Sequence, residues 1–155
     1  MIDAFLKISG VEGETSKKGF EKQIEISSFN WGVSQTTTAH GGSSGGTAGK
    51  AHVQDISFTK TIDKSSPTMI QGCMKGMTFR KTTGDVQMPY LIYTLTDCVL
   101  SSYSISASNG SEEMHEHFAL NFTSIKMEYV VQEKGGTKGG QNTATWDVTT
   151  NAPIA

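Results

Sequence analysis

Only two cysteines occur in 155 residues, Cys73 and Cys98, and neither has a partner at metal-ligand spacing. Cys73 falls on an expected apolar helix face and Cys98 in an apolar strand run. Both therefore read as buried free thiols rather than a disulfide, which implies synthesis in a reducing compartment. No apolar run approaches the roughly 20 residues of a membrane span, so helical membrane insertion is not expected. The opening MIDAFLKISGVEGE carries Asp3 and Lys7 inside its only apolar stretch and lacks the charged-then-apolar order of a cleaved signal. Export, if it occurs, is expected by another route. Basic tracts stop at two residues, and 13 Lys and Arg against 15 Asp and Glu give a formal charge of −2. A nucleic-acid footprint is absent, and general polyanion binding is not expected.

Catalytic and cofactor signatures are also missing. The tract ending GTAGK imitates a phosphate loop, but Ser44 stands where the first glycine belongs and Ala51 follows Lys50 where Ser or Thr is needed. No strand-to-helix junction surrounds it. His115 and His117, flanking Glu116, share one side of a strand and are the best metal candidate. No third ligand can be assigned, so a solvent-facing histidine pair is the preferred reading. Glu112 and Glu113 read as a solvated strand entrance rather than an acid/base pair. No Gly-x-Ser-x-Gly elbow presents a serine nucleophile, and Cys73 has no activating base. Two glycosylation patterns, at Asn109 and Asn121, mean little without a secretory signal. No catalytic residue, metal or cofactor is expected.

Strands dominate what remains. Seventeen glycines with abundant Ser and Thr, and only three prolines, fit many strands joined by turns. Ala4 to Ile8 is a first short strand. Lys22 to Gln35 is longer and changes phase: Ile24 and Ile26 share one parity, then Phe29, Trp31 and Val33 the other. A bulge or bend near Ser27–Ser28 reconciles them, as where one strand serves two sheets or closes a barrel. Phe118, Leu120 and Phe122 alternate, then Ile125, Met127 and Tyr129 do so out of phase, implying a second bend near Thr123–Ser124. Tyr90 to Leu95, Cys98 to Ile105 and Thr143 to Val148 read as further strands. Thr78 to Thr83 is another candidate, with Gly84–Asp85 as its turn. The glycine-rich stretch over 36–52 reads as a long mobile loop. The aromatics Phe29, Trp31, Phe118, Phe122, Tyr129 and Trp146 read as core packing ahead of a ligand platform.

One helix interrupts this pattern, at about Ser66–Gly76. Ser66 is an N-cap residue, Pro67 suits the first turn, and Gly76 is a C-terminal stop. Met69, Ile70, Cys73, Met74 and Met77 are expected to form its packed stripe, and Gly72 weakens it by about 1 kcal/mol relative to alanine. The expected architecture is mainly β in a single domain over 1–155. It is an antiparallel β-barrel or packed double sheet with one flanking α-helix.

Taken in order, these segments resemble one family. The carrying residues are Ala4–Ile8, Gly13-Glu14-Thr15, Ser28 to Gln35, Val53–Pro67, Glu112–Glu113, Phe118–Phe122 and Trp146-Asp147-Val148. The chain is similar along almost its whole length to the haemolysin-coregulated protein (Hcp) family, the inner-tube subunit of bacterial type VI secretion. Its GGSSGGTAGK tract departs from the pattern. The resemblance implies a fold like that of contractile-phage tail-tube proteins and a homohexameric ring that stacks into tubes inside a contractile sheath. It also implies a spike-tip protein and small effector proteins as partners. The protein would stay in the bacterial cytoplasm before firing and then leave through the machine itself, with no toxin domain after Trp146.

On that reading Ser28, Asn30 and Gly32, opposite Phe29, Trp31 and Val33, are expected to face the channel and effectors. Their small polar character suits a wet wall, although facing bulk solvent is an equal alternative. The stretch Thr38–Val53, with His40, Lys50 and His52, is expected to contact the next ring. Two other classes stay open: a secreted lectin-like or adhesive β domain, and a small hydrolase.

Overall fold

A computed structural model describes residues 3–37, 48–76, 78–79, 84–87, 91–132 and 138–154. The strands in chain order are β1 (Ala4–Ile8), β2 (Ile24–Ile26), β3 (Ser28–Asn30), β4 (Val33–Thr37), β5 (Ala48–Val53) and β6 (Ile56–Thr61). Helix α1 (Ser66–Lys75) follows, then β7 (Thr78–Phe79), β8 (Gly84–Gln87), β9 (Leu91–Thr96) and β10 (Cys98–Ser106). The series ends with β11 (His115–Asn121), β12 (Ser124–Gln132) and β13 (Lys138–Asp147). A six-stranded sheet has the order β13-β12-β9-β8-β1-β2, a five-stranded sheet β3-β6-β11-β10-β7, and β4 and β5 pair as a separate ribbon. Every pairing is antiparallel. Of the two expected forms, the packed double sheet describes the molecule; the described strands close no barrel.

The chain passes between sheets at the two places where its apolar parity flips. β2 pairs with β1 in the six-stranded sheet, and after Ser27 the next strand pairs with β6 in the other. The expected continuous strand over 22–35 is thus three short strands in three sheets. The second flip falls at Phe122–Thr123, between β11 and β12. A third corner lies at Asp97, which takes a positive φ of 48° between β9 and β10. Thr123 ties these corners together. Its N–H donates to Thr96 O at 3.0 Å, and its own carbonyl accepts from Val148 N at 2.8 Å. A two-residue period puts side chains on alternate faces, so a parity change moves the apolar face to the other sheet's inner side.

Between the sheets lies one contiguous core. Leu6, Ile24, Leu95 and Ile125 come from one sheet, and Ile56, Phe58, Phe118 and Leu120 from the other. Phe58 and Phe118 are cross-strand partners whose rings stack at 5.1 Å. Phe29 and Trp31 meet Tyr93 edge-on, both at 5.9 Å, joining the two layers.

The helix occupies the expected span, and Gly76 caps its C-terminus at φ 58°, donating its N–H to the Cys73 and Gly72 carbonyls. The N-cap is Ser65 rather than Ser66, because Ser66 is buried within the first turn and its hydroxyl is engaged elsewhere. The packed face also differs from the expected stripe. Ser66, Met69 and Gly72 are buried, whereas Met74 is 81% exposed and Met77 lies outside the described residues. At 100° per residue, Met74 stands about 140° around the helix from Met69. Docking of the first turn on the sheet sets the rotation, and Met74 is carried out to solvent.

Two further expectations are corrected. Gly84–Gln87 is strand β8, paired with both β1 and β9, rather than a turn. The expected loop over 36–52 begins and ends as strand: Gln35 pairs with Ala51 and Thr37 with Ala48. Small side chains at Ala48, Gly49 and Ala51 carry no visible alternation, so the pairing is set by the neighbouring strand. Residues 38–47 lie outside the described residues.

Candidate assembly and channel surfaces

Ser28 and Asn30 lie on the outer face of the five-stranded sheet, as alternation with the half-buried Phe29 requires. The pairing Ser28–Thr59 and Asn30–Ser57 carries that face across to β6. His117 on β11 and Ser102 and Ser104 on β10 continue it. Together they line a shallow concavity of about 350 Å³ that no Asp, Glu, Lys or Arg borders. His117 is held by its neighbours, with Nδ1 3.0 Å from Thr59 Oγ1 and Nε2 3.4 Å from Ser106 Oγ. The lining is hydroxyl-rich and wettable, and Asp55, accepting from Ser101 Oγ at 2.7 Å and Asn121 Nδ2 at 2.8 Å, places a carboxylate beyond its border. Gly32 does not join it. It sits past the end of β3, its carbonyl accepting from Gln54 N at 3.1 Å, and an added Cβ would stand 3.2 Å from Gln54 Oε1.

Lys50 and His52 are exposed on β5, two residues apart and so on the same face of the ribbon. His40 lies outside the described residues. The ribbon's other face turns toward β12 and β13 and closes an apolar groove of about 400 Å³. Trp31, Val33 and Val53 form one wall, and Ile125, Met127 and Trp146 the other. Trp31 Nε1 donates to Gln54 O at 3.0 Å. Trp146 Nε1 is buried with no acceptor among the described residues. β13 is an outer strand of its sheet; on its far edge Asp147 bridges to Ala152, and among the described residues no strand lies beyond it.

A buried charge network lies behind the polar face. Lys60 and Glu116 are direct cross-strand partners, both 0% exposed, with Nζ 2.6 Å from Oε1. Lys60 Nζ also donates to Asp63 Oδ1 at 2.9 Å and to the Thr61 carbonyl at 3.1 Å. Ser66 Oγ donates to Glu116 Oε1 and Tyr103 OH to Oε2. Burial, then the hydrogen bond to Glu116, pushes the Tyr103 phenol far above its usual range. The network pins the first turn of α1 to β6, β10 and β11. It was missed as a site by sequence reasoning, although a signal exists. Lys60 shares parity with Ile56 and Phe58, and Glu116 with Phe118 and Leu120. His115 and His117 do share a side, as expected. Among the described residues no three His, Cys, Asp or Glu side chains are grouped to hold a metal.

Residues 5–129 match the family model described as type VI secretion system effector, Hcp. The chain belongs to the Hcp family. Its curated relative Hcp1 of Pseudomonas aeruginosa is 39% identical, with 97% of each chain aligned. Hcp1 from Salmonella typhimurium is 33% identical and superimposes with a TM-score of 0.81, covering 99% of both chains. A type six secretion system protein of known structure reaches a TM-score of 0.92 at 27% identity, over 99% of this chain and all of that one. Hcp membership makes the protein a structural, secreted tube protein of type VI secretion and not an enzyme. Among the described residues no helix is long and apolar enough to cross a membrane.

Proposed function

We propose that this Hcp folds as one domain and assembles into hexameric rings that stack into the inner tube of a type VI secretion system. A contractile sheath propels the tube behind a spike-tip protein, carrying small effectors in its channel from the cytoplasm to a target. The outer face of the five-stranded sheet carries this reading. Ser28, Asn30, Ser57, Thr59, Ser102, Ser104 and His117 make a concave polar surface without fixed charge. Such a surface wets a channel without gripping cargo of either sign, which suits passage. Open outer strands favour the same conclusion, since a repeating ring pairs or covers edges that otherwise invite aggregation.

Native mass spectrometry and negative-stain imaging test the ring: a species of six chains is expected, and a monomer at every concentration would sink the proposal and favour a solitary ligand-binding domain. Asn30→Trp tests the channel face. Rings should persist while retention of a cargo bound inside falls, and unchanged retention removes Asn30 from the cargo surface. Gly32 sits beside Gln54, outside the lining of this concavity.

A further inference from the structure

The outward side of β11 carries His115 and His117, with Glu116 between them. Alternation sends Glu116 the other way, where it is fully buried against Lys60. The two imidazoles therefore share the polar face without the carboxylate. Side chains two apart on one strand start roughly 6.5–7 Å from each other, close enough for both rings to reach one ion at about 2.0–2.1 Å from each nitrogen.

Hydrogen bonds turn His117 toward its neighbour. Nδ1 lies 3.0 Å from Thr59 Oγ1, the residue directly opposite on β6. Nε2 lies 3.4 Å from Ser106 Oγ, and Ser106 is the cross-strand partner of His115 on β10. The ring thus leans along the strand toward the rung that His115 occupies. With Nδ1–H donating to Thr59, the Nε2 lone pair is directed to that rung, and ligating histidines are oriented by just such a bond on their other nitrogen. His115 supplies the second observation. Its side chain is part-exposed, yet Nδ1 is buried with no hydrogen-bond partner among the described residues. A buried imidazole nitrogen left in this way lacks a partner that a bound cation supplies, and either nitrogen can serve once the ring turns about χ2.

The surroundings select the class of ion. Opposite the two histidines on β6 and β10 stand Thr59, Thr61, Ser104 and Ser106. Among the described residues no third His, Cys, Asp or Glu joins the pair. Hard cations such as Mg(II) and Ca(II) find no carboxylate here and soft ions no thiolate, whereas imidazole suits the borderline divalent ions.

We infer that His115 and His117 chelate one borderline divalent transition-metal ion, Cu(II) ahead of Ni(II) and Zn(II), on the outer face of the five-stranded sheet. Two imidazoles fill two coordination positions and water fills the others. The ion is therefore exchangeable, and open to an imidazole or carboxylate presented to this face. The site lies within one chain and does not depend on ring formation.

Isothermal titration of NiCl2 into untagged, chelator-treated full-length protein at about pH 7.5, where imidazole is neutral, tests the site. Ni(II) is the first probe because it spares the half-buried Cys73 thiol from the oxidation that Cu(II) brings. One ion per chain is expected. His117→Ala and His115→Asn should each weaken binding by about 10²-fold, because the two rings act together at high effective concentration. His52→Ala and His40→Ala should bind as the unmodified chain does. Absence of binding to the unmodified chain overturns the inference, as does a His117→Ala chain that binds equally well or a His52→Ala chain that loses binding. His117 is exposed, so its replacement leaves the core closed and decides the matter even where His115→Asn fails to fold. Electron paramagnetic resonance of Cu(II) added to a Cys73→Ser chain reads the ligands directly. Nitrogen splitting from two imidazoles is expected, and splitting from one or none refutes the chelate.

Discussion

Replacing Lys60 with Met should destabilise this protein more than any surface substitution, and the reason lies in what remains behind. Glu116 is fully buried, and without Lys60 its carboxylate keeps, among the described residues, the Ser66 and Tyr103 hydroxyls as side-chain donors. An uncompensated buried charge of this kind costs about 3–5 kcal/mol. Glu116→Leu should cost less, about 2–3 kcal/mol, because Lys60 retains Asp63 at 2.9 Å and the Thr61 carbonyl. The double variant Lys60→Met, Glu116→Leu removes both charges and leaves side chains of similar bulk. It should fall well short of the sum, with a coupling of about 2 kcal/mol or more. For a chain of this size, 4 kcal/mol lowers Tm by on the order of 10 °C. Urea unfolding at one fixed protomer concentration measures all four proteins, and the fixed concentration matters because assembly stabilises by mass action. Two single variants that each lose under 1 kcal/mol, or a double variant that loses the full sum, would refute the account of a mutually compensating buried pair.

Alkaline pH provides a second test of the same network. The raised Tyr103 pKa means its neutral phenol contributes stability that is fully present below about pH 10 and is lost as pH rises toward the folded-state value. Unmodified protein should therefore lose stability above pH 10 more steeply than Tyr103→Phe, and equal slopes in pH-dependent urea unfolding would contradict this. At the first turn, Gly13 donates its N–H to Lys22 O at 2.8 Å, and an added Cβ would stand 2.1 Å from Gln23 O. Gly13→Ala forces two backbones apart and should cost about 1–3 kcal/mol by thermal or urea unfolding, whereas a loss below 0.5 kcal/mol would show that this contact yields freely.

Much of the layout is legible along the chain wherever local pattern and burial agree. The parity flips near Ser27 and Thr123 reveal both corners because only a change of sheet keeps each apolar set inside. Gly76 stops the helix because a left-handed residue is needed there. The charged pair was legible by the same logic, since Lys60 and Glu116 sit at apolar parity, but a lone charge on an inward face gains meaning only when its partner is known. The ribbon escaped because Ala48, Gly49 and Ala51 leave no periodicity to follow. Met74 misled because five apolar residues within nine positions fit more than one helical stripe, and only the docking of Ser66 selects among them.

Family, strand content, the helix span and the absence of catalytic motifs were properties of the linear chain, carried by ordered residues and short-range geometry. The pairing of Lys60 with Glu116, the outward turn of Met74 and the groove between the ribbon and Trp146 belonged to the tertiary structure alone. Each depends on residues 50 to 115 positions apart meeting in one place, from Ser66 with Glu116 to Trp31 with Trp146. Long-range contacts of that kind are chosen by how whole sheets pack, and no local period encodes them.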